Sequence, residues 1–295
     1  MYSTLTWLKE NTDTTFSHYT KSKEGAWISP HILPGHEDNA IWNNTTLGKS
    51  ILNKYSTTAW ETDFLEQLLP FLITSHNLCC DTPLIDLGCG NGRVTYLLHR
   101  AGFNKLVGID LDEMNVKYAA SQIPTSFSDD IIFMMGNALH LPFKEQSLSQ
   151  IFVSALPFLT TIFSSIRPLI KQNGRLLYLT FTSLEAALTY ALVRNDWEEF
   201  IRIMETQTRA ASWENKDIRY NTPIAKEIIM YAEKAGFSLE TQYGVPIFAS
   251  LIFGGLCQQQ TLNEDKKEFL YNKLHELASI SNRFVRQHLL IFQKE

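Results

Sequence analysis

One ten-residue segment, Leu84–Arg93, constrains the fold of this chain more than any other part of it. It is an apolar run with one acidic residue, followed by three glycines at alternate positions. The next residues, Val94–Arg100, have the spacing of an amphipathic helix. Glycine has no Cβ and tolerates a positive φ, so a turn rich in glycine can approach a ligand closely. The pattern predicts a buried strand that leads through a ligand-binding turn into a helix.

The spacing of the glycines also indicates the kind of ligand. A dinucleotide-binding loop reads G-x-G-x-x-G, which would place its third glycine at Arg93 instead of Gly92. Asp86, just ahead of the turn, suits a ligand with an ammonium group better than a pyrophosphate. The turn therefore favours an amine-bearing ligand over a dinucleotide.

These residues resemble motif I of the class I S-adenosylmethionine-dependent methyltransferases, and the next segment continues the likeness. Lys105–Asp110 reads as an apolar strand that ends in a carboxylate. Asp110 follows the glycine turn by about twenty residues, which is where doubly wound folds place an acid against ribose hydroxyls. Asp112 is expected to cap the N-terminus of a helix that starts near Glu113.

Three more predicted strands follow in the order typical of this family. Ile131–Met135 leads into Gly136–Phe143, which is similar to the family's GDA-x-x-LPF segment except that Asn137 stands in place of the acid. An amide oxygen can still accept a hydrogen bond from the amino group of adenine. The fourth and fifth strands are predicted at Gln150–Ser154 and Arg175–Phe181.

The resemblance implies an α/β fold with a doubly wound, mostly parallel, seven-stranded sheet, and S-adenosylmethionine as the cofactor. It implies that Asp110 binds the ribose, that Leu111 lies against the adenine and that Ser154 borders the methionine moiety. The backbone amide of Ala138 is a further expected adenine contact. The complete set of cofactor contacts that the likeness implies is Asp86, Gly88, Cys89, Gly90, Asp110, Leu111, Asn137, Ala138 and Ser154.

The rest of the chain is organised around this core. Residues 57–74 have helical spacing, and Thr222, Pro223 and the pair Ala235-Gly236 predict the start and the end of a late helix. We expect an aromatic N-terminal arm or lid at 1–56, the cofactor-binding core at 57–181, a helical cap insertion at 182–221, and a C-terminal completion of the core at 222–295 with a second insertion at about 254–281.

The composition of the chain limits the classes of partner it can bind and the compartment in which it is expected. A net charge of −5 and a pI near 5.9 argue against a broad basic surface for nucleic acid. The four cysteines contain no C-x-x-C pair, so neither a zinc site nor a disulfide framework is indicated. The first residues lack the pattern of a secretory signal, and no apolar stretch is long enough to span a bilayer. We therefore expect a cytoplasmic protein without a metal, and the sequence leaves its oligomeric state open.

The chemistry of the donor asks little of the protein beyond alignment. The methyl carbon of a sulfonium is already activated, and alignment with exclusion of water can supply about 7–11 kcal/mol. The sequence identifies no general base. The aromatic candidates to face the sulfonium are Tyr55, Trp42 and Trp60. For Trp60 we favour core packing instead, because it fits the helical spacing of residues 57–74. Tyr55 is the single candidate for a catalytic position.

The leading hypothesis is a methyltransferase that acts on a small molecule enclosed by the lid and the insertions. One alternative is a tRNA methyltransferase that esterifies a carboxyl group on a wobble uridine, since the distal half resembles such enzymes in layout. A second alternative is intramolecular or aminopropyl-type chemistry at the other sulfonium carbons. A non-catalytic partner with the same fold is the least favoured, because the cofactor residues are intact.

Overall fold

The structure is a computed structural model that describes residues 3–30, 59–154, 160–181, 196–213, 216–246, 265, 269 and 285–295. The chain divides into two compact units. The first consists of residues 1–154, 161–176 and 294–295, and the second of residues 155–160 and 177–293.

Seven strands from the described residues form the sheet of the first unit. Their hydrogen-bonded order is β1-β2-β5-β4-β3-β6-β7, and the second half of β7 belongs to the second unit. The bounds are β1 Thr20–Lys21, β2 Trp27–Ile28, β3 Leu84–Leu87, β4 Leu106–Asp110, β5 Ile131–Met135, β6 Leu148–Ser154 and β7 Ile170–Phe181.

The four central strands β3 to β6 run parallel, and their register aligns their carboxyl ends. Leu84 of β3 pairs with Leu106 of β4 and with Gln150 of β6. Asp110, the last residue of β4, pairs with Met135, the last residue of β5. Both faces of the sheet are buried by apolar side chains. Because ligands of open α/β sheets bind outside the carboxyl ends of the strands, this edge is the expected position of the site.

Helices of the first unit confirm the predicted alternation of strand and helix. Asp112 caps its helix as predicted, since its Oδ1 accepts a hydrogen bond from the backbone N–H of Asn115 at 2.8 Å. The helical spacing predicted over residues 57–74 agrees with the burial of Leu68 and Leu72 in the long second helix, whereas Phe71, an apolar residue of the same segment, is exposed. The bounds are α1 Thr4–Asn11, α2 Ala59–Ser75, α3 Arg93–Ala101, α4 Glu113–Ser121 and α5 Ile162–Ile166.

In the second unit, the strand order continues as β7-β11-β10, and β8 and β9 form a separate antiparallel pair. The bounds are α6 Trp197–Thr206, β8 Thr208–Trp213, β9 Lys216–Asn221, α7 Ala225–Lys234, β10 Phe237–Pro246 and β11 Val285–Lys294. The prediction of a doubly wound, mostly parallel α/β sheet is confirmed. Seven strands, β5-β4-β3-β6-β7-β11-β10, correspond to the predicted set, and β1 and β2 extend it.

Two predictions about the second unit are wrong in detail. The cap insertion at 182–221 is not helical throughout, because its last third forms β8 and β9. Thr222 does not cap α7: the helix starts at Ala225, and the Thr222 hydroxyl donates to the carbonyl of Gln207 instead. This bond links the segment just before α7 to Gln207, the residue before β8. It is a tertiary contact, which rules for local helix capping cannot predict.

Some predicted features lie outside the described residues. They include Tyr55, the first part of the predicted cap insertion at 182–195 and, apart from two residues, the insertion at 254–281. Among the described helices, none is both long and apolar enough to cross a membrane.

The described part of the N-terminal arm, which the sequence predicted only as an aromatic arm or lid, has regular structure and extends the sheet. Trp27 of β2 pairs in parallel with Met134 of β5. The backbone N–H of Asp13 donates to the carbonyl of Pro142 at 3.0 Å, and the Trp7 and Phe143 rings lie 6.1 Å apart. Two-residue strands are too short to give a detectable period, and their pairing is tertiary. Whether residues 1–56 also cover the donor stays a prediction.

Truncating Leu8 should destabilise the protein, because this side chain is fully buried between α1 and the rest of the unit. We expect Leu8→Ala to lower the free energy of unfolding by about 2–4 kcal/mol, as for other buried leucines. Leu5→Ala on the same helix is the matched control, since Leu5 is partly exposed. Urea unfolding of both variants measures the difference. A loss near zero in Leu8→Ala would mean that this helix contributes nothing to the core.

Candidate functional site

The glycine turn lies at the carboxyl end of β3 and is anchored to the neighbouring strand. The backbone N–H groups of Gly88 and Cys89 both donate to the carbonyl of Ile109 in β4, at 2.8 and 3.0 Å. The N–H of Gly90 donates to Oδ2 of Asp110 at 2.9 Å. These bonds hold the carboxyl ends of β3 and β4 together.

The three glycines of the turn all have a positive φ but meet different surroundings. A Cβ at Gly92 would lie 2.6 Å from Cζ of Phe133 and 3.0 Å from Cβ of Ala119. A Cβ at Gly90 would have no heavy atom within 4 Å. Gly92 is therefore required by the packing of α3 on the sheet, whereas Gly90 faces open space, as a residue against a ligand would.

Asp86 is fully buried within β3, and its charge has a partner on the helix that follows the turn. The hydroxyl of Thr95 in α3, also buried, donates to Asp86 Oδ2 at 2.6 Å. A buried carboxylate is costly unless hydrogen bonds compensate it. This bond therefore fixes the carboxylate at the base of the turn, where the sequence predicted a partner for an ammonium group.

Cys89 is buried in the turn, and its surroundings disfavour the thiolate. Burial raises the pKa of its thiol well above the usual value, and the charges of Asp110 and Asp86 raise it further. Its sulfur also packs close to Gly108, since a Cβ at Gly108 would lie 3.1 Å from Sγ. Cys89 thus contributes shape and its backbone N–H rather than reactivity.

Both carboxylate oxygens of Asp110 accept hydrogen bonds. Its Oδ1 accepts from the N–H of Asp112 at 2.9 Å and, at the 3.5 Å limit, from Nδ2 of Asn115. Its Oδ2 accepts from Gly90. Burial raises the pKa of Asp110, and the two backbone N–H donors oppose that rise. A carboxylate has about four acceptor positions, so Oδ2 can take a further hydrogen bond, as a ribose hydroxyl would require.

The adenine side of the predicted site lies in the turn after β5. Asn137 is buried, and its Oδ1 accepts from the backbone N–H of Leu139 at 2.9 Å. A carbonyl oxygen has two lone pairs, so the predicted bond from the adenine amino group would be the second on this oxygen. Ala138 is partly exposed beside it. The contacts of both residues with adenine stay predictions.

The remaining predicted residues divide into those that the structure places and those that it does not. Leu111 directly follows Asp110 and is partly exposed, in a position compatible with a base-stacking role. Ser154 is the last residue of β6, at the same edge, but its side chain is not described. Tyr55 lies outside the described residues. No base or nucleophile emerges from the described part of the site.

Sequence reasoning missed two residues that hold the predicted carboxylates, Thr95 and Asn115. A signal for Thr95 was present: it is a hydroxyl residue on the apolar face of α3, between Val94 and Leu97, nine positions after a buried acid. A polar residue on an apolar stripe indicates a buried polar partner. Asn115 carried no such signal, because the first turn of a helix is commonly polar.

Comparison with known proteins agrees with this geometry. A family model described as a methyltransferase domain matches residues 80–235, just over half of the chain. Demethylmenaquinone methyltransferase of Lactococcus lactis subsp. lactis (strain IL1403) is 28% identical over 98 residues. That match covers 31% of this chain and 39% of the relative, so well under two thirds of the relative is represented.

Solved structures share the fold at low identity. A SAM-dependent methyltransferase from Methanosarcina mazei gives a TM-score of 0.50 at 16% identity, with 75% of this chain and 96% of that chain covered. Geranyl diphosphate methyltransferase in complex with SAM gives a TM-score of 0.50 at 12% identity, with 85% and 92% covered. At these identities the likeness concerns the fold alone.

Proposed function

We propose that this chain, a member of the methyltransferase-domain family, transfers the methyl group of S-adenosylmethionine to a small-molecule acceptor. In this reaction a lone pair of the acceptor attacks the methyl carbon, the bond from that carbon to sulfur breaks, and its electrons stay on sulfur. The products are a methylated acceptor, S-adenosylhomocysteine and, for a protonated nucleophile, a released proton.

The observation that supports donor binding most directly is the preorganised junction of the glycine turn with Asp110. The Gly90 N–H is already bonded to Oδ2 of Asp110, and a Cβ at Gly90 would meet open space. Binding therefore needs little rearrangement of these groups, and preorganised donors and acceptors act at full strength. We infer that Asp110 holds the ribose and that Asp86 lies near the amino group of the methionine moiety.

The small-molecule acceptor is inferred from charge and from the curated relative. The chain has 31 acidic and 26 basic residues, so no excess of positive charge is available to neutralise phosphates of a nucleic acid. The Lactococcus relative is named for a small molecule, demethylmenaquinone, although it matches over only 98 residues. The three described cysteines are free thiols, which supports a reducing compartment, and we propose the cytoplasm.

A single experiment separates the candidate reactions. The protein is incubated with S-adenosylmethionine that carries a trideuterated methyl group, in parallel with a metabolite extract, with total tRNA and with no acceptor. Mass spectrometry then follows the label. We expect the label on one extract component, with an equivalent amount of unlabelled S-adenosylhomocysteine. The Gly90→Val variant, treated identically, is the control for contaminating enzymes.

Each alternative predicts a different fate of the label. Label found only in tRNA would replace the small-molecule acceptor with the wobble-uridine reaction. Donor consumption with the labelled methyl still on sulfur would indicate chemistry at another sulfonium carbon. Unchanged donor in every arm would contradict the proposed acceptor class.

A further inference from the structure

A polar cavity lies at the edge of the sheet opposite the glycine turn. It has a volume of about 220 Å³ and sits where β3 and β6 begin, since Thr82 precedes β3 and Gln150 lies near the start of β6. All of its lining residues belong to the first unit. They are Asn77, Cys79, Thr82, Ser149, Gln150, Lys171, Gln172, Asn173, Gly174 and Arg175.

The lining has the chemistry of an anion site. It contains the exposed Lys171 and also Arg175, which already interacts with another group of the protein, and it has no acidic side chain. The other polar side chains are amides and hydroxyls, which can donate hydrogen bonds, and none of the lining residues is aliphatic or aromatic. The positive charge would attract an oxyanion, and the exposed amides of Asn77, Gln172 and Asn173 can donate hydrogen bonds to it.

The floor of the cavity is held by a buried side chain. Gln150 is only 4% exposed, and its Nε2 donates to the carbonyl of Cys79 and to the hydroxyl of Thr82, both at 2.8 Å. This amide therefore ties the segment after α2 to the start of β6. The shape of the floor does not depend on mobile surface side chains.

The wall that carries the two cations is equally constrained. Asn173 has a φ of +60°, and a Cβ at Gly174 would lie 2.9 Å from the carbonyl oxygen of Lys171 and 3.0 Å from that of Ser149. This part of β7 is thus packed tightly against β6. This packing fixes the backbone from which Lys171 and Arg175 project at the cavity.

We propose that this cavity binds a small oxyanion, either free phosphate or the phosphate group of a small metabolite, separately from the methyl donor. Its volume is below the roughly 300–1,000 Å³ of drug-sized ligand sites and suits one phosphate with a few carbon atoms. The donor is a sulfonium cation with a purine and a diol, for which this lining offers no carboxylate. Because the parallel strands place the two sites at opposite edges, both ligands can be bound at once.

Phosphate titration of the intact protein tests this inference without any measurement of methyl transfer. At constant ionic strength set with sodium chloride, we expect saturable binding of inorganic phosphate by calorimetry. Lys171→Gln should weaken binding about tenfold or more, since a charge-assisted hydrogen bond is lost. Lys226→Gln is the matched control, because Lys226 is also exposed but lies on α7, away from the cavity. Glycerol 3-phosphate in a parallel titration separates free phosphate from a phosphate ester.

Cys79 provides a local readout, since it is exposed and lines the cavity, whereas Cys89 is buried. Phosphate should slow its alkylation in the wild type, located by fragment mass spectrometry, and have little effect on the rate in Lys171→Gln. S-adenosylhomocysteine should leave the phosphate affinity unchanged. The inference is overturned if binding does not saturate, if Lys226→Gln weakens it as much as Lys171→Gln, or if S-adenosylhomocysteine competes.

Discussion

Gly90→Val is expected to abolish binding of S-adenosylmethionine while the chain remains folded. The φ of Gly90 is +53°, and the added side chain would enter the open space beside the turn, where the donor is proposed to lie. An L residue in a left-handed conformation costs about 1–2 kcal/mol, and a β-branched residue costs more. That cost is a fraction of the 5–15 kcal/mol by which a domain of this kind is typically stable. Calorimetry with the donor, together with circular dichroism, measures both quantities.

The matched comparison is a single added methyl group at two glycines of the same turn. Gly92→Ala should lower the free energy of unfolding by about 2–5 kcal/mol, since the new Cβ meets the Phe133 ring at 2.6 Å in a left-handed backbone. Gly90→Ala should destabilise much less but weaken donor binding more. The reverse pattern would mean that the roles of the two glycines have been interchanged.

This difference between the glycines shows what the sequence could and could not predict. The pattern G-x-G-x-G predicted a turn against a ligand, and it applied equally to each glycine. The neighbours that distinguish Gly92 from Gly90 are Phe133 and Ala119, which come from β5 and α4. Such contacts depend on tertiary packing, which the spacing of residues within the motif cannot predict.

The same distinction between local pattern and tertiary packing explains which other predictions from the sequence were confirmed and which were wrong. The buried strands and the helix capped by Asp112 were predicted because period and capping are local properties. The short strand β2 was missed because two residues carry no period, and its pairing with β5 is long-range. Thr222 looked like a cap but bonds to Gln207 instead. For the site, spacing predicted Asp86 and Asp110, whereas their partners Thr95 and Asn115 required the structure.

Asp110→Asn should weaken binding of S-adenosylmethionine by about 2–4 kcal/mol, or roughly 30- to 900-fold in Kd. The substitution removes the charge from the proposed ribose contacts. It also puts an amide where the carboxylate accepts from the N–H groups of Gly90 and Asp112. Isothermal titration calorimetry of the variant at neutral pH measures the loss.

Asp112→Ala is the control for damage to the local fold. It removes the neighbouring carboxylate and the cap of α4, and should cost about 1 kcal/mol of stability with little change in donor affinity. An equal loss of affinity in both variants would indicate that Asp110 acts only by shaping the loop.

The pH dependence of donor binding gives an independent test of Asp110. Hydroxyl donors bind the ionised carboxylate more strongly, so affinity should be full above the pKa of Asp110 and fall as the pH decreases through it. Because burial raises the pKa of Asp110, this fall should begin at a higher pH than for an ordinary aspartate near pH 4. In Asp110→Asn that part of the pH dependence should disappear. If Asp110→Asn and the wild type have the same pH profile, the titration belongs to another group. Asp110 would then not be part of the ribose site.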